Sequence, residues 1–196
     1  MQKIILILMI SFFSTNTLSA SDSAQSFLGI TFGEPLIVDK CVGYVNANIC
    51  TYKTNADTFM YDTSWEGKSV NIFVPDTTEL EGILKNGSIG IHILDGDIVE
   101  GISFATGGYA VQEKALKLLT QKYGKPSYTS KKKLRNAFNT KYQTLDAGWK
   151  LADLVVNFRG VESDDLEWGR VTIYTKAFKK QLDDKEKSED SKKLKM

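Results

Sequence analysis

One histidine, His92, and two cysteines, Cys41 and Cys50, set the limits of the chemistry open to this chain. A Ser-His-Asp triad needs its base within hydrogen-bond reach of a nucleophile and of an orienting carboxylate, so it would have to run through His92. That residue falls mid-strand between Ile91 and Ile93, facing glycines, and no nucleophile-elbow pattern occurs in the chain. A zinc site fares no better, because one imidazole and two thiols expected to be oxidised do not complete a tetrahedron. Gly107-Gly108 lacks the Gly-Lys-Ser/Thr ending of a phosphate-cradling loop. The sequence therefore predicts no catalytic residue, no metal and no cofactor.

Carboxylates remain, since two acids flanking a glycosidic bond suffice to hydrolyse it. Among the 24 acids, Glu100 has the best physical argument. Strict alternation about an Asp95-Gly96 turn sets it on an apolar face, where burial raises a carboxyl pKa as an acid catalyst requires. A Glu at a sheet margin, paired with Lys or wetted by solvent, gives the same pattern. Asp62 and Asp153 carry no distinguishing context. Glu162, Asp164, Asp165 and Glu167 could gather Ca²⁺, but they lack EF-hand spacing and read as a solvated hairpin loop.

Charge is distributed unevenly. From Glu113 to Lys141 there are nine bases and one acid, 9 − 1 = +8, whereas Asp76 to Glu100 holds six acids and one Lys, 1 − 6 = −5. The candidate binding residues are those of the basic patch: Lys114, Lys117, Lys131, Lys132, Lys133 and Arg135. Such a patch attracts anions, among them an acidic protein, a lipid headgroup, a cell-wall polymer or nucleic acid. Tyr128 and Phe138 flank the run and could stack on rings. A solvated helix face followed by a flexible Lys-rich loop accounts for the same pattern.

Met1–Ala20 reads as a secretory signal peptide, with Lys3 as the n-region, Ile4–Phe13 as the h-region and Leu18-Ser19-Ala20 before the cut. As a helix, ten apolar residues rise only about 15 Å, half a bilayer core. Removing the leader takes away one Lys and no acid, leaving 24 bases against 24 acids and no net charge. Export makes nucleic acid an unsuitable partner. No Cys follows the cut to carry a lipid, and Cys41 and Cys50 are most simply a disulfide. The ten-residue ring it closes would contribute about 2–3 kcal/mol.

The elements that must position these residues follow from periodicity. After a flexible leader over 21–26, Phe27–Phe32 reads as a strand, and Leu36–Lys40 fits a turn or a strand. Cys50–Lys53 is a further strand. Thr58–Trp65 and Lys68–Val74 form a hairpin at Glu66-Gly67, with Phe59, Tyr61 and Thr63 sharing a buried face with Val74, Ile72 and Val70. Thr77–Leu84 fits a short helix or a loop. A second hairpin turns on Asp95-Gly96 and sets Ile93 opposite Ile98, Ile91 opposite Glu100 and Ile89 opposite Ile102. Its other face, with His92, Gly90 and Gly101, is flat enough for another backbone or ring to approach. A helix over Tyr109–Tyr123 buries Val111, Ala115, Leu116, Leu118, Leu119 and Tyr123, and Gly124 and Pro126 stop it. Residues 127–144 read as a polar connection, followed by a meander of Gly148–Leu151, Leu154–Arg159 and Trp168–Thr175. The charged tail over 176–196 has too little apolar surface to order itself and reads as a frayed helix or disorder.

The fold class expected is thus α+β: an antiparallel sheet of hairpins and a meander, one main amphipathic helix packed on a face, and one disulfide, in a single domain over 27–175. Two echoes, Gly29-Ile30-Thr31-Phe32 with Gly101-Ile102-Ser103-Phe104 and Phe32-Gly33-Glu34-Pro35 with Tyr123-Gly124-Lys125-Pro126, lie 72 and 91 residues apart. They leave two related halves open, although strand-end and helix-end punctuation also produces them.

A helix on an antiparallel meander, with the exit Tyr123-Gly124-Lys125-Pro126 and an N-terminal Gly29–Pro35 (GITFGEP), resembles two kinds of small exported bacterial domain. These are the outer-membrane assembly lipoprotein fold and the tandem-repeat β-lactamase inhibitory proteins. The resemblance covers 27–175 in outline and implies a non-catalytic, protein-binding role. This chain departs from it in lacking a lipid-bearing Cys, and no functional residue of either family maps onto it.

The functional expectation is an exported, periplasmic or secreted, non-enzymatic envelope protein that binds or inhibits a protein partner. The alternatives are a carboxylate-dependent hydrolase of envelope glycans and a charge-driven surface or polymer-binding module. Mass spectrometry of the exported product should find Ser21 at its N-terminus and no thiol open to alkylation before reduction. A retained leader or two free thiols would overturn this part of the reading.

Overall fold

Ile89, Ile91 and Ile93 are buried while the residues between them are not, and this one-in-two rhythm recurs strand after strand. The computed structural model describes residues 25–39, 50–51, 68–75, 78–135, 139–162 and 165–193. Cys41, Phe138 and the expected Thr58–Trp65 strand lie outside them, and Cys50 enters through its backbone alone.

A two-stranded ribbon, β1 (Ser26–Phe27) and β2 (Ile30–Thr31), comes first. β3 (Cys50–Thr51), β4 (Lys68–Phe73), β5 (Ser88–Leu94) and β6 (Ile98–Thr106) follow, then α1 (Gln112–Tyr123). β7 (Tyr128–Arg135), β8 (Lys141–Lys150), β9 (Leu154–Arg159), β10 (Gly169–Thr175) and α2 (Lys176–Lys193) complete the chain. β3 to β10 form one sheet in the order β3-β4-β5-β6-β10-β9-β8-β7, every neighbouring pair antiparallel. It is two meanders joined at β6 and β10. α1 carries the chain from the middle of the sheet to its far edge, and the second meander returns to meet the first. Among the described residues the protein is α+β, with two α-helices.

The core lies on one face of the sheet. Ile91 pairs with Ile102, Val171 with Phe104 and Phe158, Ile173 with Ile102 and Val156, and Trp149 with Val156. α1 lays Ala115, Leu119 and Tyr123 against this face, a 4-4 spacing on one side of a helix. Trp149 Nε1 donates to the Gly124 carbonyl at 2.8 Å and fixes the helix end on β8. Phe27, Ile30, Phe32, Leu80 and Ile83 are buried in the same cluster. Each such side chain contributes about 1.5–3 kcal/mol through burial.

Several expectations are met closely. β9 has its predicted bounds, and Leu154, Val156 and Phe158 face Thr175, Ile173 and Val171. Ile72 and Val74 are buried as their alternation requires. Others need correction. Phe27–Phe32 is no single strand: Leu28 and Gly29 both take positive φ, 52° and 78°, and fold it into a tight hairpin. The echoes now separate. Gly29 sits in that turn whereas Gly101 is mid-strand, while Gly33 and Gly124 share a φ of 79° and 77° ahead of a proline. The second echo is therefore punctuation of the backbone.

Residues 127–144 are not a connection. Tyr128–Arg135 is an edge strand, and β8 begins at Lys141 rather than at Gly148. The tail forms a helix over Lys176–Lys193, held at its start by Phe178, which is buried.

Within α1, Gln112 is buried and plays a part that apolar patterning cannot announce. Its amide donates to the Gln143 carbonyl at 3.0 Å and accepts from the Leu145 N–H at 2.9 Å. It thereby satisfies the β8 backbone just before the β9 pairing begins at Asp146. Gln112→Leu should lower unfolding free energy by about 1–3 kcal/mol, because it strands a buried N–H, with the denaturant slope unchanged. A neutral effect in urea titration would show that Leu145 finds another acceptor.

Candidate functional site

The turn at Asp95 settles the status of Glu100. Instead of two residues, it takes three, Asp95–Asp97, with positive φ at Gly96 and Asp97. Leu94 then pairs with Ile98 and Ile93 with Val99, but His92 pairs with Gly101, so Glu100 is the extra residue of a β-bulge. Val99 is turned into the core in its place. Glu100 accepts a hydrogen bond from Thr175 Oγ1, at the margin of the sheet. The apolar setting that would make it an acid catalyst is occupied by Val99.

His92 lies on the other face of the sheet, and the small residues around it are already covered. Its Nε2 shares a hydrogen bond of 3.1 Å with Ser103 Oγ. The Tyr174 ring stands edge-on to the imidazole at 5.6 Å and Phe178 of α2 lies 5.7 Å away. A Cβ on Gly101 would collide with the Tyr174 ring. The flat face does receive rings, and they come from this chain.

Beyond Tyr174, α2 and this polar face enclose a groove of about 970 Å³. Tyr128, Lys132, Asp146, Asn157, Arg159 and Thr172 line it from the sheet, and Lys179, Leu182, Asp183 and Glu186 from the helix. Its charges are largely matched internally. Lys132 pairs with Asp146 at 2.6 Å, Arg159 with Glu162 at 3.6 Å, Arg170 also with Glu162, and Lys179 with Asp183.

The six candidate binding residues do not gather into one patch. Lys114 turns to the 78–84 segment and donates to the Glu81 carbonyl at 2.5 Å. Lys117 is exposed on α1. Alternation along β7 sends Lys132 to the groove face and Lys131, Lys133 and Arg135 to the opposite one. Across the hairpin those three face Leu145, Gln143 and Lys141, none of them acidic. Arg135 donates to Asn139 Oδ1 at 2.9 Å, an uncharged partner. Lys131, Lys133, Arg135 and Lys141 thus form a basic row on one face of the β7–β8 hairpin. Tyr128 does not join it, because its ring lies over Gly148 on the groove side. Lys141 is the member that counting along the sequence left out of the candidate set. Only the strand register brings it in.

Two buried side-chain oxygens have no hydrogen-bond partner among the described residues, Thr106 Oγ1 and Tyr123 OH. Burial, and then the charge of Glu79, push the Tyr123 hydroxyl above its usual range, so it stays protonated. Among the described residues no group of three or more His, Cys, Asp or Glu is placed to hold a metal ion, and no helix is long and apolar enough to cross a membrane. Compared with family models, with curated proteins and with solved structures, the chain matches none.

Burial lowers the His92 pKa from 6.5 to about 4. The native state therefore holds a neutral imidazole that the unfolded chain protonates first. This contribution is complete above pH 6.5 and is lost as pH falls toward 4, a change of about 3 kcal/mol across that window. Thermal unfolding followed from pH 7.5 to pH 4 should show this loss, and His92→Gln should remove most of the slope. An unaltered slope in the variant would place the acid sensitivity elsewhere.

Proposed function

We propose that this chain is an exported, non-enzymatic envelope protein that binds or inhibits a protein partner, with the basic row of the β7–β8 hairpin as its contact surface. The observation that carries the reading is the register that places Lys131, Lys133, Arg135 and Lys141 on one face with no acid opposite them. Elsewhere on the same hairpin a lysine does meet an acid, Lys132 with Asp146. A row of like charge left without opposite charges raises the local potential and favours an acidic partner.

Export rests on the leader-like Met1–Ala20, which assigns the mature protein to the periplasm or the medium. In that compartment a Cys41–Cys50 bridge would brace the segment ahead of β3. The outline resemblance to exported assembly lipoproteins and β-lactamase inhibitory proteins points the same way, toward contact rather than turnover.

Pull-down from envelope extract should recover a stoichiometric partner. Lys131→Glu/Lys133→Glu should abolish recovery, whereas Lys132→Glu should reduce it far less. Recovery should also fall as salt shortens the screening length below about 8 Å. Equal recovery by the wild type and the double variant would rule out the basic row as the contact surface.

A further inference from the structure

β7 is the outer strand of the eight-stranded sheet. All eight of its residues pair with β8 on one side, from Tyr128 opposite Gly148 to Arg135 opposite Lys141, and no described strand lies on the other. Such a strand points half of its backbone N–H and C=O groups outward, where an incoming extended chain can continue the ladder. Eight residues offer roughly 27 Å of edge, the length of an ordinary docked strand.

Resting on the reading above, we propose that the partner docks by adding a β-strand to the β7 edge, and that this strand carries acidic side chains at alternate positions facing Lys131 and Lys133. The spacing selects this geometry. Lys132 is answered by Asp146, so the charges that β7 leaves without an acid among the described residues recur at every second residue: Lys131, Lys133 and Arg135. A period of two matches one face of an extended chain and not the face of a helix.

Charge also selects the occupant. A second copy pairing antiparallel through the lysine run would set Lys opposite Lys, and like charges directly opposite destabilise a sheet. Lysines on an edge strand are a known guard against such self-association. The residues that turn away a copy of this chain accept a strand of opposite sign.

Three short labelled peptides test the proposal by fluorescence anisotropy against the protein produced with its own leader. One alternates Thr and Glu, one alternates Thr and Lys, and one is the Thr/Glu peptide N-methylated at every second amide, made in both frames. The Thr/Glu peptide should bind at least about tenfold more tightly than the Thr/Lys peptide, a 1.4 kcal/mol difference. It should protect the amides of residues 128–135 from hydrogen exchange, and N-methylation in at least one frame should cost about as much again. Undiminished binding by both methylated frames would overturn strand addition and leave the basic contact surface standing. If Glu and Lys peptides bind alike while Lys131→Glu/Lys133→Glu still loses the partner in pull-down, strand addition alone fails. If the double variant also keeps the partner, both readings fail.

Discussion

Burial of a single face of the eight-stranded sheet is the constraint on which the other features depend. Because successive side chains point to opposite faces, fixing Ile91, Ile102, Ile173 and Val156 in the core fixes the outward direction of every residue between them. The same parity carries across β9 and β8 to the edge. It decides that Lys132 meets Asp146 while Lys131 and Lys133 look the other way. A basic run that is continuous in the sequence is therefore divided in space by packing at the opposite end of the sheet.

Among the described strands parity is broken at the β5–β6 hairpin, and the break has a local cause. This three-residue turn takes positive φ at two positions, and Gly96 with Asp97 supplies them. The extra residue reappears as the bulge at Glu100, which turns a carboxylate out of the core and Val99 in. β6 continues to find backbone partners there, since Gly33 and Glu34 exchange hydrogen bonds with Val99 at 2.8 and 2.9 Å. The N-terminal segment thus occupies the stretch of β6 that β10 leaves uncovered.

What could be read from the sequence follows from which faces are buried. β9 and β10 each have an apolar face, so alternation gave their bounds and partners closely, whereas in β5 alternation marked the buried isoleucines but the longer turn moved their partners, Ile93 to Val99 and Ile91 to Ile102. β7 has both faces wet, and Tyr-Thr-Ser-Lys-Lys-Lys-Leu-Arg shows no period of two to find. The Leu145, Ala147, Trp149 alternation in β8 was available, but the polar residues before it concealed where the strand begins. α1 was legible from its 4-4 spacing, whereas Gln112 was not, because a buried amide is chosen for two backbone groups distant in sequence. The tail illustrates the same limit. Phe178 is one apolar residue among charges, and its weight comes from the Tyr174 and His92 rings waiting on the sheet.

Gly108, Gly160 and Gly169 share a property with consequences for descent rather than for stability alone. A methyl group on any of them would strike atoms that have little room to move: the Leu166 backbone oxygen for Gly108, the Gln112 amide and Leu145 oxygen for Gly160, and the Gly160 and Arg159 oxygens for Gly169. These three sites mark where the segment ahead of α1, the β9–β10 loop and β8 come into close backbone contact. Exposed side chains away from the β7–β8 basic row can be exchanged over evolutionary time, and core positions can trade one aliphatic residue for another. These three have no substitute of any size. Distant descendants of this chain, whatever else they have lost, should still carry this glycine triplet and a Gln between its first two members.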